Sequence, residues 1–240
     1  MKNFTFIGPL GPIECIVEPN RGEHRAVLVM AHGFRGSRDS GGRAAGVAYQ
    51  CAAQCSVVRF NFTGTRVLSL QVRELRAVLA EVRRRAPGCE LWLLGRSLGG
   101  AASIVTATQE ADVTRLILWA TPNDLRATFR HVMTEPYYAR LDGGEMLRFS
   151  DERGECALTP DFLTDFDNYD LGALLQGWRG GRALLLHCEG DETVCVEQAK
   201  RNAAILGVRG ELRLFPGGDH SFTEYSEQAG ELIAAWLERE

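Results

Sequence analysis

The chain has 240 residues, with 27 lysines and arginines against 31 aspartates and glutamates, a net charge of −4. That length suits one large domain with a substantial core. Charge of both signs is dispersed along the chain, which gives no electrostatic case for a nucleic-acid partner.

No stretch approaches the roughly 18 consecutive apolar residues of a membrane span, and Met1 to Phe6 lacks a secretory signal's apolar core, so a cytoplasmic protein is expected. Seven cysteines, without a C-x-x-C pair, fit reduced thiols better than a disulfide framework or a zinc site. Cys51 and Cys55, four apart, read as packing residues.

Short apolar runs alternate with longer amphipathic stretches, the rhythm of a mostly parallel sheet covered by helices on both faces. Ile13 to Val17 reads as an early strand after the turn Gly8-Pro9-Leu10-Gly11-Pro12. Ala26 to Ala31 is a buried strand stopping at His32-Gly33-Phe34, and a glycine-rich loop leads to a helix over Arg43 to Gln54. Ser56 to Phe60 is the next strand. Leu70 to Arg84, apolar at 72, 75, 78, 79 and 82, is an amphipathic helix, with Arg83 to Arg85 as its solvated end.

Leu91 to Leu94 and Leu116 to Ala120 are further strands, separated by a helix from Leu98 to about Glu110. Residues 122 to 180 break the rhythm. They hold no clear strand but carry Phe129, Tyr137, Tyr138, Phe149, Phe162, Phe166, Tyr169 and Trp178, and such an aromatic insertion reads as a lid over a site. One or two of these rings are expected to touch substrate, the others to pack in the core. Ala183 to His187 resumes the strands, followed by a helix over Val196 to Leu206, a strand over Glu211 to Leu214 and a closing helix over Phe222 to Leu237.

Gly95-Arg96-Ser97-Leu98-Gly99 places a serine where a buried strand turns into a helix, the context of a G-x-S-x-G nucleophile elbow. A serine hydroxyl is a weak nucleophile at neutral pH. It needs a histidine to take its proton and an acid to orient that histidine. Asp191 follows the strand ending at His187, and His220, in Gly217-Gly218-Asp219-His220-Ser221, follows the last strand. Both lie on the strand edge where open α/β sheets gather ligands. The backbone N–H groups of Leu98 and Phe34 are the candidate donors to a developing oxyanion.

His32-Gly33-Phe34, Gly95 to Gly100, His187 to Val194 and Gly218 to Phe222 together resemble the α/β-hydrolase superfamily over nearly the whole chain. The resemblance is closest to small bacterial esterases of the cinnamoyl and feruloyl type and to serine aminopeptidase-like hydrolases. It implies an α/β-hydrolase fold, a single domain over 1–240 with a lid at 122–180, and a serine esterase with Ser97 as nucleophile, Asp191 as acid and His220 as base. Neither metal nor organic cofactor is implied. His187-Cys188 and Val194-Cys195 depart from the usual His-Gly and Val-Pro. The loop after Phe60 is shorter than the family's Gly-His-Gly-x-Ser segment, a change expected to reshape one wall of the site.

Glu189, Glu192 and Asp219 compete with Asp191 as the acid, and Asp191 is preferred because it aligns with the family's acid. Of the other histidines, His187 reads as a buried structural residue, and His24 and His131 as exposed. Arg35 and Arg96 flank the oxyanion donors, and Cys188 and Cys195 read as small buried hydrophobes. The substrate expected is a small ester with a short or aromatic acyl group. An aminopeptidase-like amide hydrolase, with Glu135, Asp142 and Glu145 holding an amine, is the alternative within the enzymes; a non-catalytic ligand-binding protein of the same fold is the alternative outside them. The sequence leaves a homodimer open.

Overall fold

The computed structural model describes residues 1–64, 66–151 and 154–239. An eight-stranded sheet runs through it in the order β1-β2-β4-β3-β5-β6-β9-β10. These strands are β1 Phe4–Gly8, β2 Gly11–Glu18, β3 Ala26–Ala31, β4 Ser56–Phe60, β5 Glu90–Arg96, β6 Val113–Trp119, β9 Arg182–Cys188 and β10 Gly210–Phe215. From β4 to β10 every pairing is parallel. The β1–β2 hairpin adds an antiparallel edge through the pairing of β2 with β4.

The parallel strands are apolar throughout because both of their faces are covered. Along β3, Val27, Val29 and Ala31 join one core cluster while Ala26, Leu28 and Met30 join the other. The first cluster packs against α2 Leu68–Arg85, α3 Leu98–Gln109, α7 Leu171–Gly177 and α8 Val196–Leu206; the second packs against α1 Arg43–Cys51 and α9 Ser226–Glu238. Helix α2 buries Val72, Leu75, Val78, Leu79 and Val82, the positions its periodicity marked. Its basic end is held by ion pairs from Arg83 to Glu110 and Asp112 and from Arg84 and Arg85 to Glu81.

Several sequence expectations are corrected. The early strand has an unanticipated partner in β1, paired Phe4 to Cys15 and Gly8 to Gly11. Helix α1 stops at Cys51, since Ala53 and Gln54 turn the chain through bonds to Gln50 and Cys51 carbonyls. The last helix begins at Ser226, not Phe222. Phe222 has φ 54°, and its ring is buried between Trp119 and Phe215, so residues 222–225 form a turn that anchors the segment.

Between β6 and β9 lie α4 Leu125–Val132, α5 Glu135–Asp142, the strands β7 Leu147–Asp151 and β8 Gly154–Leu158, α6 Asp161–Thr164 and α7. The hairpin of β7 and β8 contradicts the expectation that 122–180 holds no strand. Its register sets Leu147 opposite Leu158 and Phe149 opposite Cys156. Phe129, Phe162 and Phe166 pack ring against ring beneath it. Among the described residues no helix is long and apolar enough to cross a membrane.

Candidate active site

The chain passes from β3 outward to β4 and then returns to β5 on the other side of β3. Loops leaving β3 and β5 therefore diverge to opposite faces and open a crevice at their C-terminal ends, the switch point at which such sheets bind ligands. Ser97 follows β5 directly, and His32 to Phe34 follow β3.

Ser97 adopts φ 52° and ψ −123°, a strained conformation for a residue with a side chain. Its N–H donates to Trp119 O at 2.9 Å, and its own carbonyl accepts from the Gly100 N–H at 2.8 Å. Small neighbours make the turn possible. A Cβ on Gly95 would lie 2.5 Å from Gly100 Cα and Ser103 Oγ, and one on Gly99 would strike the carbonyls of Ala31 and His32.

The His32 ring organises the facing loop. Its Nε2 accepts the Phe62 N–H at 3.1 Å, which assigns the proton to Nδ1, and Nδ1–H donates to Gly33 O at 2.9 Å. Burial lowers the pKa of His32, in keeping with the neutral form this pattern requires. Gly33 O also accepts from the Gly36 N–H at 3.0 Å. Since Gly33 C=O and Phe34 N–H belong to one planar peptide and point opposite ways, the Phe34 N–H is turned away from both donors. Leu98, the first residue of α3, carries an N–H that a helix start leaves without an intrahelical partner.

Among the described residues, none of the loop after β4 lines either cavity beside Ser97. Thr65 lies outside the described residues. Phe62 supports His32, and Thr63 donates through its N–H and Oγ1 to the buried Glu74 carboxylate.

Asp191 is buried just beyond β9. Its Oδ1 accepts the N–H groups of Thr193 at 2.9 Å and Val194 at 2.8 Å, and its Oδ2 accepts from His220 Nδ1 at 2.8 Å. Burial pushes its pKa up, but the His220 hydrogen bond and charge and the Val194 N–H outweigh it, and the carboxyl sits below its ordinary value. In the neutral ring, with Nδ1–H donating to this carboxylate, Nε2 is the nitrogen left to accept a proton. Its backbone is fixed from two sides: the N–H donates to Glu192 Oε2 at 3.3 Å, and the carbonyl accepts from Arg96 Nη2 at 3.0 Å.

Ser97 and His220 line the same two cavities. Among the described residues no hydrogen bond joins Ser97 Oγ to His220 Nε2; in unliganded hydrolytic sites this contact is often long and tightens with substrate.

The competing acids are placed elsewhere. Asp219 accepts from Thr223 N–H at 2.8 Å and Thr223 Oγ1 at 2.6 Å, as a turn-forming residue does. Glu189 is exposed, and Glu192 holds the His220 backbone. His187, as expected, is fully buried. Its Nε2–H donates to Val194 O at 2.7 Å and lies 3.3 Å from Asp191 Oδ2, a contact with the acid that sequence reasoning missed. His131 is exposed and His24 half-exposed. Cys188 is buried, but Cys195 is exposed because it stands at the start of α8, which corrects the expectation of a buried pair.

The larger cavity, about 610 Å³, lies between Ser97 and the β6–β9 segment. Of the eight aromatics flagged in that segment, Phe129, Tyr137 and Phe149 line it; Tyr138, Phe162, Phe166 and Trp178 are core. Glu135, Asp142 and Glu145 are paired with Arg130, Arg126 and Arg140, and none of the three lines it. Among the described residues no group of histidine, cysteine or carboxylate side chains could hold a metal ion.

A parallel sheet with a strained serine at its switch point and a carboxylate–histidine pair on the same edge defines a hydrolase architecture. The profile of the alpha/beta hydrolase family matches residues 28–236, and the chain belongs to that family. No curated protein sequence is matched.

Among solved structures, the esterase domain of a Rhodothermus marinus protein is 22% identical with a TM-score of 0.76, covering 98% of this chain and 96% of its own. Est1E from Butyrivibrio proteoclasticus is 16% identical with a TM-score of 0.79, covering 99% and 98%. A serine hydrolase without a lid from Xanthomonas campestris is 19% identical with a TM-score of 0.67, covering 99% and 95%. At these identities the likeness is one of fold.

Proposed function

We propose that the protein hydrolyses carboxylic esters through an acyl-enzyme on Ser97, with His220 as general base and acid, Asp191 orienting His220, and the N–H groups of Phe34 and Leu98 receiving the oxyanion. The observation that carries this reading is the 2.8 Å bond from His220 Nδ1 to Asp191 Oδ2, set in a cavity that also exposes Ser97.

In the first half-reaction Ser97 Oγ bonds to the acyl carbon and its proton passes to His220 Nε2. The tetrahedral oxyanion is stabilised by the two backbone donors, the C–O bond to the alcohol breaks, and the alkoxide takes the proton from His220. Water then adds to the acyl carbon, His220 accepts and returns its proton, and the acid leaves as Ser97 is regenerated. The β6–β9 segment acts as a lid whose aromatic rings receive an apolar or aromatic acyl group.

The ester reading is favoured over the amide one because the carboxylates that would hold a peptide's amine are engaged with arginines. The test compares the parent with Ser97→Ala on p-nitrophenyl acetate and butyrate. Turnover is expected to fall by roughly 10⁶-fold, to the level left by binding and the oxyanion donors alone; equal turnover in the two proteins overturns the reading.

A further inference from the structure

A second cavity, of about 280 Å³, shares Phe34, Arg35, Ser97, His220 and Ser221 with the aromatic one, and the rest of its lining is different in chemistry. Gly36, Ser37, Ser40 and Gly41 of the loop after β3 line it, together with Arg35, Arg43 and Arg96. Three arginines and, among the described residues, no carboxylate line it, in a chain whose net charge is −4.

Two of these arginines have other work. Arg35 donates to Gly154 O at 2.7 Å and lies over the Phe149 ring, while Arg96 holds the His220 carbonyl. Arg43 is different. It is the first residue of α1, and its buried Nε has no hydrogen-bond partner; among the described residues its side chain makes no hydrogen bond or ion pair. The carboxylate its charge acts on, Asp219, is already taken up by Thr223. A guanidinium without a protein partner beside such a compartment offers charged donors that an anionic acceptor can satisfy.

Both cavities include Ser97 and His220, so an ester held at Ser97 borders both. From this juxtaposition we infer that the alcohol portion of the substrate carries an anionic group, a carboxylate or a phosphate, bound by Arg43 in the smaller cavity while the acyl group fills the aromatic one. The inference rests on the ester-hydrolase reading and adds the substrate class. Arg43 acts here as a binding residue for the leaving group and does not touch the reacting carbonyl, so its removal affects substrates according to their charge.

The test takes the acyl group of whichever p-nitrophenyl ester the protein turns over fastest and attaches it to three alcohols: glycolate, its neutral isostere glycolamide, and 2-phosphoethanol. The parent is expected to prefer glycolate or phosphoethanol over glycolamide by at least about tenfold in kcat/KM, as a charged hydrogen bond allows. The two anionic arms distinguish carboxylate from phosphate. Arg43→Gln is expected to remove the preference, mainly through KM, so that the anionic and glycolamide esters are turned over at similar kcat/KM, while circular dichroism and thermal unfolding report that the variant is folded. Equal rates on all three alcohols in the parent, or a preference that survives Arg43→Gln, overturns the inference while leaving the hydrolase standing. Absence of turnover on every p-nitrophenyl ester refutes the hydrolase and this inference with it.

Discussion

At the scale of single residues, the site depends on which carboxylate faces His220. Asp191 and Asp219 stand on either side of the question in the sequence, and only the fold separates them: Asp191 Oδ2 meets His220 Nδ1, whereas Asp219 closes a turn through Thr223. Asp191→Asn would present an amide that can fix the wrong tautomer, and turnover of p-nitrophenyl butyrate is expected to fall by about 10⁴-fold. Asp219→Asn keeps an acceptor for the Thr223 N–H, so its rate is expected to stay within a few fold. Steady-state kinetics on both variants checks this, and the reverse order would move the acid to Asp219.

Ser97, Asp191 and His220 were legible because each is marked by glycines and by a strand end. The setting of His32 and the binding role inferred for Arg43 were not. The first depends on the Phe62 N–H thirty residues away, and the second on a lack of partners, which no local pattern encodes.

At the scale of elements, the serine turn works only because α3 approaches the sheet closely. Gly99 sits where a Cβ would run into the backbone carbonyls of Ala31 and His32, which belong to the strand and loop that carry Phe34. Gly99→Val therefore both overpacks the core and displaces the loop that carries Phe34. It is expected to lower unfolding free energy by about 1–3 kcal/mol and to reduce activity even where the protein remains folded, as urea unfolding combined with kinetics would reveal. Parallel strands and their helices were readable from the sequence to within a few residues, because covered strands are continuous apolar runs and covering helices keep a 3.6-residue period. The hairpins were harder. In β1 and β7 one face is exposed, so the apolar signal is diluted, and the Gly-Pro turn after Gly8 masked the first pairing.

For the whole molecule, two histidines, His187 fully buried and His32 partly so, couple folding to pH. His32 and His187 both have pKa values lowered from the ordinary 6.5, burial being the largest cause in each. The unfolded chain therefore binds more protons than the folded one as pH drops below that ordinary value. Stability is full above it and is lost as pH falls toward the folded values, by at most about 1.4 kcal/mol per pH unit for each histidine. Asp191, whose folded pKa is depressed from 3.8, adds a further loss at lower pH. Chemical denaturation between pH 8 and pH 5 is expected to give this slope, and His187→Gln, whose amide can still donate to Val194 O, to reduce it. An unchanged slope would mean that His187 titrates normally in the fold.

The central claim is that Ser97 is an activated nucleophile. Treatment with a fluorophosphonate probe, followed by intact mass measurement and peptide mapping, tests it most directly. The account predicts one adduct per chain, on the peptide containing Ser97, that is abolished in Ser97→Ala and slowed in Asp191→Asn. A folded parent protein that takes up no probe, or takes it up at another residue, would contradict it.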